Sequence, residues 1–308
     1  MQNIYEVQQS NKIKSGVITA LFLVFSFIAI YILGQAFGYY MGYDVGGLGY
    51  IGIAFIVSGI STFISYYNSD KIVLSISGAR PANKEEDKIF KQVGENLSIG
   101  TGLPLPKLYV IEDTAPNAFA TGRDPEHAVV CVTSGLLSKL NRSELEAVVA
   151  HEMGHIKNYD IRLMSIVSVM VGLVALLADW LLHIGMRTRG RRDESGNAGA
   201  IIVVLGVIFA LISPIIATMI QLAISRRREF FADSEAVMFT RNPQGLINAL
   251  TKISNDHEPL EAANKATAHL YIVTPFKDKV RSSVGMFANL FNTHPPIKER
   301  IQALQKMS

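Results

Sequence analysis

The residues best placed to do chemistry are His151-Glu152-Met153-Gly154-His155. On a helix, residues four apart differ by about 40° of rotation and about 6 Å of rise, so both imidazoles face one way. Two neutral imidazoles at that spacing chelate one Zn²⁺. Glu152 falls beside the metal rather than on it. There a carboxylate can take a proton from a metal-activated water and hand it to a leaving amine. With seven histidines in 308 residues, such a pattern arises by chance in roughly one chain in a hundred, so its surroundings matter. An amphipathic stretch, Leu145–Ala150, precedes it, and polar Lys157, Asn158 and Asp160 follow.

A hydrolytic zinc site takes a third protein ligand and keeps one position open. Positions 158 and 161 hold Asn158 and Ile161, so the extended motif with a third histidine is absent. The next charged helical cluster is Arg226-Arg227-Arg228-Glu229-Phe230-Phe231-Ala232-Asp233. Glu229 and Asp233 share a face at i, i+4. That spacing lets Glu229 bind the metal while Asp233 accepts the ring N–H of a ligating histidine and fixes its tautomer. The alternative is a surface carboxylate paired with Arg226. Near the end of the chain, Thr293-His294-Pro295-Pro296 leaves His294 two readings: a donor to a developing oxyanion, or a cap for the final helix. His127, His257 and His269 have no partner at ligand spacing.

These residues need elements to hold them, and composition says which. The chain is 49% hydrophobic and 18% charged, against about 25% charged for a soluble domain. The shortfall is concentrated: residues 15–43, 45–69 and 195–225 carry no charge, and 163–186 carries only Asp179. Each is long enough for a membrane helix of roughly 20 residues. An ordinary cytosolic enzyme, a disordered chain and a collagen-like chain are excluded. The 29 Lys+Arg against 26 Asp+Glu give no reason to expect nucleic acid. Cys131, the single cysteine, excludes an internal disulfide and a multi-cysteine metal site.

Lys12 and Lys14 precede the first pair of apolar runs, and Lys71, Arg80, Lys84 and Lys88 follow it, around a loop with no Lys or Arg. The positive-inside rule places the N-terminus and residues 70–160 in the cytoplasm. The basic loop Arg187–Arg192 runs against that rule if 163–225 is a second spanning hairpin, and Asp179 and His183 are expensive inside it. The expected organisation is a membrane hairpin over 1–69, the first part of a zinc-binding domain over 70–162, a second hairpin over 163–225, and the rest of the domain over 226–308. Within 70–162 a helix is expected from Pro81 to about Gly102. Strands follow at Lys107–Glu112, Asn117–Thr121 and Ala128–Thr133, then a helix from Ser143 with a Ser143/Glu146 capping box. The fold class is mainly α, α+β: a zincin-like domain with a small antiparallel sheet and about four transmembrane helices.

The chain resembles the membrane-anchored gluzincin endopeptidases, the family of the prenyl-protein (CAAX) proteases and the heat-shock membrane metalloproteases. The likeness rests on Pro116–Gly122, His151–His155, Glu229–Asp233 and Thr293–Pro296, in that order, with the four apolar stretches. It implies a zinc endopeptidase with one Zn²⁺ per chain, held by His151, His155 and Glu229, with Glu152 as general base. It implies a multi-pass protein of a bacterial inner membrane or its equivalent, with its active site facing the cytoplasm. Its substrates would be misfolded or damaged membrane proteins under stress. It also implies that Asn117, Ala118, Phe119 and Ala120 form an edge strand that holds substrate by main-chain pairing. Two alternatives stand beside it: a prenyl-protein protease, and a non-catalytic membrane scaffold with a structural zinc.

Overall fold

The structure, a computed structural model, describes residues 4–41, 48–173, 226–262, 267, 270–273 and 295–307. The chain opens with two long helices, α1 (Ile4–Met41) and α2 (Leu48–Tyr67). Phe27 meets Phe55 and Tyr31 meets Tyr50, so the pair runs antiparallel. Gln8–Tyr31 and Tyr50–Tyr67 are long and apolar enough to cross a bilayer. Their packing is inverted relative to a soluble protein. Ile13, Val17, Leu21, Ile53, Phe55 and Phe63 face outward, while Asn11, Ser15, Ser26, Ser58 and Thr62 are buried. Small polar residues let membrane helices approach closely where lipid supplies no hydrophobic drive between them. Ser15 and Thr19 satisfy their hydroxyls on the carbonyls four residues back.

After α3 (Ser69–Ile76) come β1 (Arg80–Pro81), α4 (Lys88–Thr101), β2 (Lys107–Ile111), β3 (Ala118–Gly122) and β4 (Ala128–Thr133). The expected helix from Pro81 therefore begins only at Lys88. Arg80 and Pro81 pair with β2, and Asp87 accepts from the Lys84 amide to cap the intervening turn. α4 stops where Gly102 takes φ 71°, the left-handed cap that glycine adopts without a Cβ penalty.

The sheet corrects one expectation. It is mixed, not antiparallel, with order β1-β2-β4-β3. β3 and β4 form the expected antiparallel pair, but β4 inserts beside β2 and runs parallel to it, Tyr109 opposite Cys131. The inserted strand is buried along its whole length, as is β3. Val110, Ala118, Ala120, Val130 and Val132 belong to the core shared with the helices that follow. Ile111, Phe119 and Cys131 point the other way, against Val73, Met164 and Tyr271.

Next come α5 (Ser134–Lys139), α6 (Arg142–Lys157) and a helix over 160–173, α7. The capping box of α6 is Asn141/Glu144, two residues before the expected one. The Asn141 side chain accepts from the Glu144 amide at 3.0 Å, and Glu144 accepts from the Asn141 amide at 2.9 Å. α8 (Arg226–Thr240), α9 (Pro243–Asn255) and α10 (Ile297–Gln305) complete the described elements. Most of the expected second hairpin, including Asp179, His183 and the basic loop, lies outside the described residues.

Candidate metal centre

α6 carries His151 and His155 on one face, as their spacing requires, with ring centroids 4.8 Å apart. α8 crosses it and brings Glu229 over both rings. The crossing is close because position 154 is glycine: a Cβ there would sit 3.3 Å from the Ala232 Cα. His151 Nε2 lies 3.7 Å from Glu229 Oε2, and His155 Nε2 lies 3.5 Å from Glu229 Oε1. Glu229 is 1% exposed, which removes the surface-carboxylate alternative. Ligand atoms of the three residues lie within 4.8 Å of one another.

The opposite nitrogen of each ring is held by a carboxylate. His151 Nδ1 is 2.9 Å from Asp233 Oδ1, the contact expected from the Glu229/Asp233 spacing. His155 Nδ1 is 3.1 Å from Asp160 Oδ2. Each imidazole thus has Nδ1 held by a carboxylate and Nε2 within 4 Å of Glu229, with the Arg300 guanidinium also 3.4 Å from His151 Nε2; carboxylates orient metal-binding histidines in this way.

The same interior holds a residue that no motif in the sequence marks. Arg300, fully buried on α10, donates Nε and Nη2 to the two oxygens of Asp233 at 2.8 and 2.6 Å. Its Nη1 reaches the Ile272 carbonyl at 3.2 Å and lies 3.4 Å from Glu229. His294 lies outside the described residues.

The family description Peptidase family M48 matches residues 84–308. The chain belongs to that family. It is 43% identical over 303 residues to a "Protease HtpX homolog" of Dictyoglomus thermophilum, covering 98% of this chain and 94% of the relative. It is 42% identical over 310 residues to that of Thermoanaerobacter pseudethanolicus, covering 100% and 99%. A crystal structure of S. mikatae Ste24p aligns at 20% identity with TM-score 0.46, over 97% of this chain and 67% of that one. The chain is a membrane metalloprotease of the M48 family, and a metal belongs to its chemistry.

The charges around the site suit a cation. Burial lowers the His155 pKa, but Asp160, Glu229 and Glu152 outweigh it and carry the ring up to about 9. Burial pushes Glu152 up to about 7, with His155 opposing and Glu229 adding. Burial also lowers His151, against the pull of Asp233. Four buried carboxylates converge here, Glu152, Asp160, Glu229 and Asp233, a donor set that fits a divalent ion.

The expected substrate edge is β3, whose outer side borders the site. Asn117 and Ala118 are already engaged there. The Ala118 carbonyl accepts from the Ile272 amide at 2.9 Å, and the Asn117 side chain bonds both backbone groups of Val273. At the other end, the Ser165 hydroxyl on α7 bonds the Gly122 amide at 2.9 Å. Phe119 points into the sheet face against Tyr271. Ala120 lies between the two capped ends, and its amide donates to Glu152.

Proposed function

We propose that this M48 protein is a zinc-dependent endopeptidase that cuts misfolded or damaged membrane proteins at the cytoplasmic face of a bacterial membrane. The observation that carries the reading is the convergence of two carboxylate-anchored imidazoles and Glu229 in a buried site next to Glu152. His151, His155 and Glu229 would hold one zinc ion, with Asp233 and Asp160 keeping the rings in register. Zinc there would acidify a water toward pKa about 7 and polarise the scissile carbonyl. Glu152, buried beside the ligands, takes a proton from the attacking water and delivers it to the leaving amine. An extended substrate segment would pair with the main chain at Ala120 through the Ala120 carbonyl, since the Ala120 amide is engaged by Glu152; that would bring the scissile carbonyl to the water on which Glu152 acts, and main-chain pairing carries little side-chain selectivity. His294 would serve the developing oxyanion, the alternative being a cap for the final helix.

In this reading residues 1–69 and 163–225 form two membrane hairpins. The domain that holds the site is assembled from 70–162 and 226–308, on the cytoplasmic side by the positive-inside rule. Polar Lys157, Asn158, Asp160 and Arg162 directly after the motif argue for a site at the bilayer surface rather than within it.

The test is cleavage of an unfolded model protein in detergent by zinc-loaded full-length chain and by Glu152→Gln. Wild type should cut, and the variant should keep its zinc while losing at least about a hundredfold in rate. Zinc-loaded protein that spares unfolded substrates and trims only prenylated C-termini would redirect the reading to a prenyl-protein protease. Inactivity of both proteins with zinc bound would leave a scaffold.

A further inference from the structure

The start of the first membrane helix touches the metal centre. Asn11 on α1 is 2% exposed. Its amide nitrogen donates to the Asn158 carbonyl at 2.9 Å and to Asp160 Oδ1 at 2.7 Å. The other oxygen of that carboxylate is the one at His155 Nδ1. One turn earlier, Gln8 Nε2 donates to the Lys157 carbonyl at 2.9 Å, and the Lys12 ammonium sits over the Tyr159 ring at 4.3 Å. The last carbonyls of a helix have no partner within it. For α6 two of them, at 157 and 158, are met by side chains of α1.

The local backbone explains why this contact reaches the site. On an unbroken helix, residue 160 would point about 140° away from residue 155, five positions back. The chain breaks at 158–159, where Tyr159 takes φ 60°, and restarts as α7 at 160. That break swings the Asp160 carboxylate back under His155. A carboxylate aimed by a helix break needs an anchor on its far oxygen, and Asn11 supplies the short one. Arg228 Nε is the longer, at 3.4 Å.

We propose that Asn11 is a positioning residue of the metal centre: by anchoring Asp160 it fixes the tautomer and plane of His155. The first membrane helix is then part of the metal site as well as its tether. This rests on His155 being a metal ligand.

The experiment measures zinc affinity of full-length protein in detergent against a competing chelator. Asn11→Leu removes both donors while keeping the branched shape of the side chain. Asn11→Ser cannot span to Asp160, and α1 already buries serines at 15 and 26. Outer-shell partners of metal ligands are worth about 10–100-fold in affinity, so each variant should bind zinc about tenfold more weakly. Asp160→Asn should weaken it too, and Asn11→Ser added to Asp160→Asn should cost little more, because the first acts through the second. Ser26→Ala, on the same helix but remote from Asp160, should leave affinity unchanged. A merely structural role for α1 predicts that Asn11→Ser and Ser26→Ala behave alike, or that the Asn11 and Asp160 losses multiply. Either result, or wild-type affinity in both Asn11 variants, overturns the proposal while the zinc reading stands. Wild type that binds no zinc brings down both.

Discussion

Arg300 is the residue on which the site's electrostatics turn. It is fully buried, forked onto Asp233 and close to Glu229, and those carboxylates carry its pKa above its ordinary value despite burial. Removing one partner of a buried ion pair strands the other, at a cost of about 3–5 kcal/mol. Arg300→Met should therefore lower the thermal midpoint sharply. Arg300→Lys keeps the charge but not the planar fork that matches a carboxylate, and Asp233 would then hold His151 loosely. The expected result for Arg300→Lys is a zinc affinity about tenfold weaker with a smaller loss of thermal stability, read by chelator competition and a thermal melt. Zinc binding unchanged in Arg300→Lys would reduce Arg300 to charge compensation. The sequence held a signal for it: at i+3 from Ile297 and i−4 from Leu304, Arg300 borders the apolar face of the last helix, but a lone arginine at such an edge is ordinarily solvated, and only the structure shows it buried against Asp233. Asp160 was hidden for a related reason. It lies at i+5 from His155, and only the break at Tyr159, invisible in side-chain periodicity, aims it back. Asp233 was legible because its relation to Glu229 stays within one helix.

At the scale of elements, the metal ligands meet only because α6 and α8 cross closely at Gly154. The variable positions of a metal motif carry no chemistry, so nothing in the motif itself marks this glycine. Its use lies in the facing backbone of Ala232. Gly154→Val should push α8 away and separate Glu229 from the histidines, costing zinc binding more than helix content. Circular dichroism near wild type beside at least tenfold weaker zinc retention is the expected pair of readings. Retained zinc would show that α8 shifts along its axis instead of away. The sheet order was illegible for a physical reason too. A run such as Ala128–Thr133, buried on both faces, shows no alternation to tell its neighbours apart. Only the return of β4 between β2 and β3 decides which pair is parallel. β1 was missed because two residues make no pattern. What holds it is Arg80, bonded to Glu112 at 2.6 Å and to Asp87 at 2.6 Å. Lys84 first, and Arg80 next, hold the Glu112 carboxyl down to about 2 from 4.5. A depressed carboxylate stabilises the fold above its unfolded pKa and loses that contribution as pH falls through the folded one. Glu112→Gln should thus melt slightly below wild type at pH 7, the gap closing between pH 4.5 and about 2. Because Glu112 is half exposed, solvent keeps the gap small. A gap that persists unchanged at pH 2 would assign it to packing.

For the whole molecule, the apolar spans of α1 and α2 were readable from charge-free length alone, and the lysines and arginines that flank them carry the proposal that the domain lies on the cytoplasmic side. Side chains at the same level of the fold agree with that boundary: Arg123 lies over the Tyr67 ring at 5.1 Å and Arg162 over Tyr159 at 5.3 Å. Aromatic and basic residues gather where a membrane meets water. The orientation can be tested directly because Cys131 is silent. It is fully buried in the sheet, and burial first, with Glu152 second, pushes its thiol pKa well above the ordinary value. A cysteine reacts as its exposed thiolate, so an impermeant maleimide should leave wild type unlabelled. Ile99, 83% exposed on α4, offers a site on the catalytic domain, and Gly46 is chosen from its place in the sequence, between the two apolar runs. With the domain in the cytoplasm, Ile99→Cys should label in inverted vesicles and not in intact spheroplasts, and Gly46→Cys the reverse. The opposite pattern would turn the molecule over, and its substrates would then be sought outside the cell. Labelling of both from one side would mean that the hairpin enters the bilayer without crossing it, with the anchoring of Asp160 by α1 still required of a helix lying at the surface.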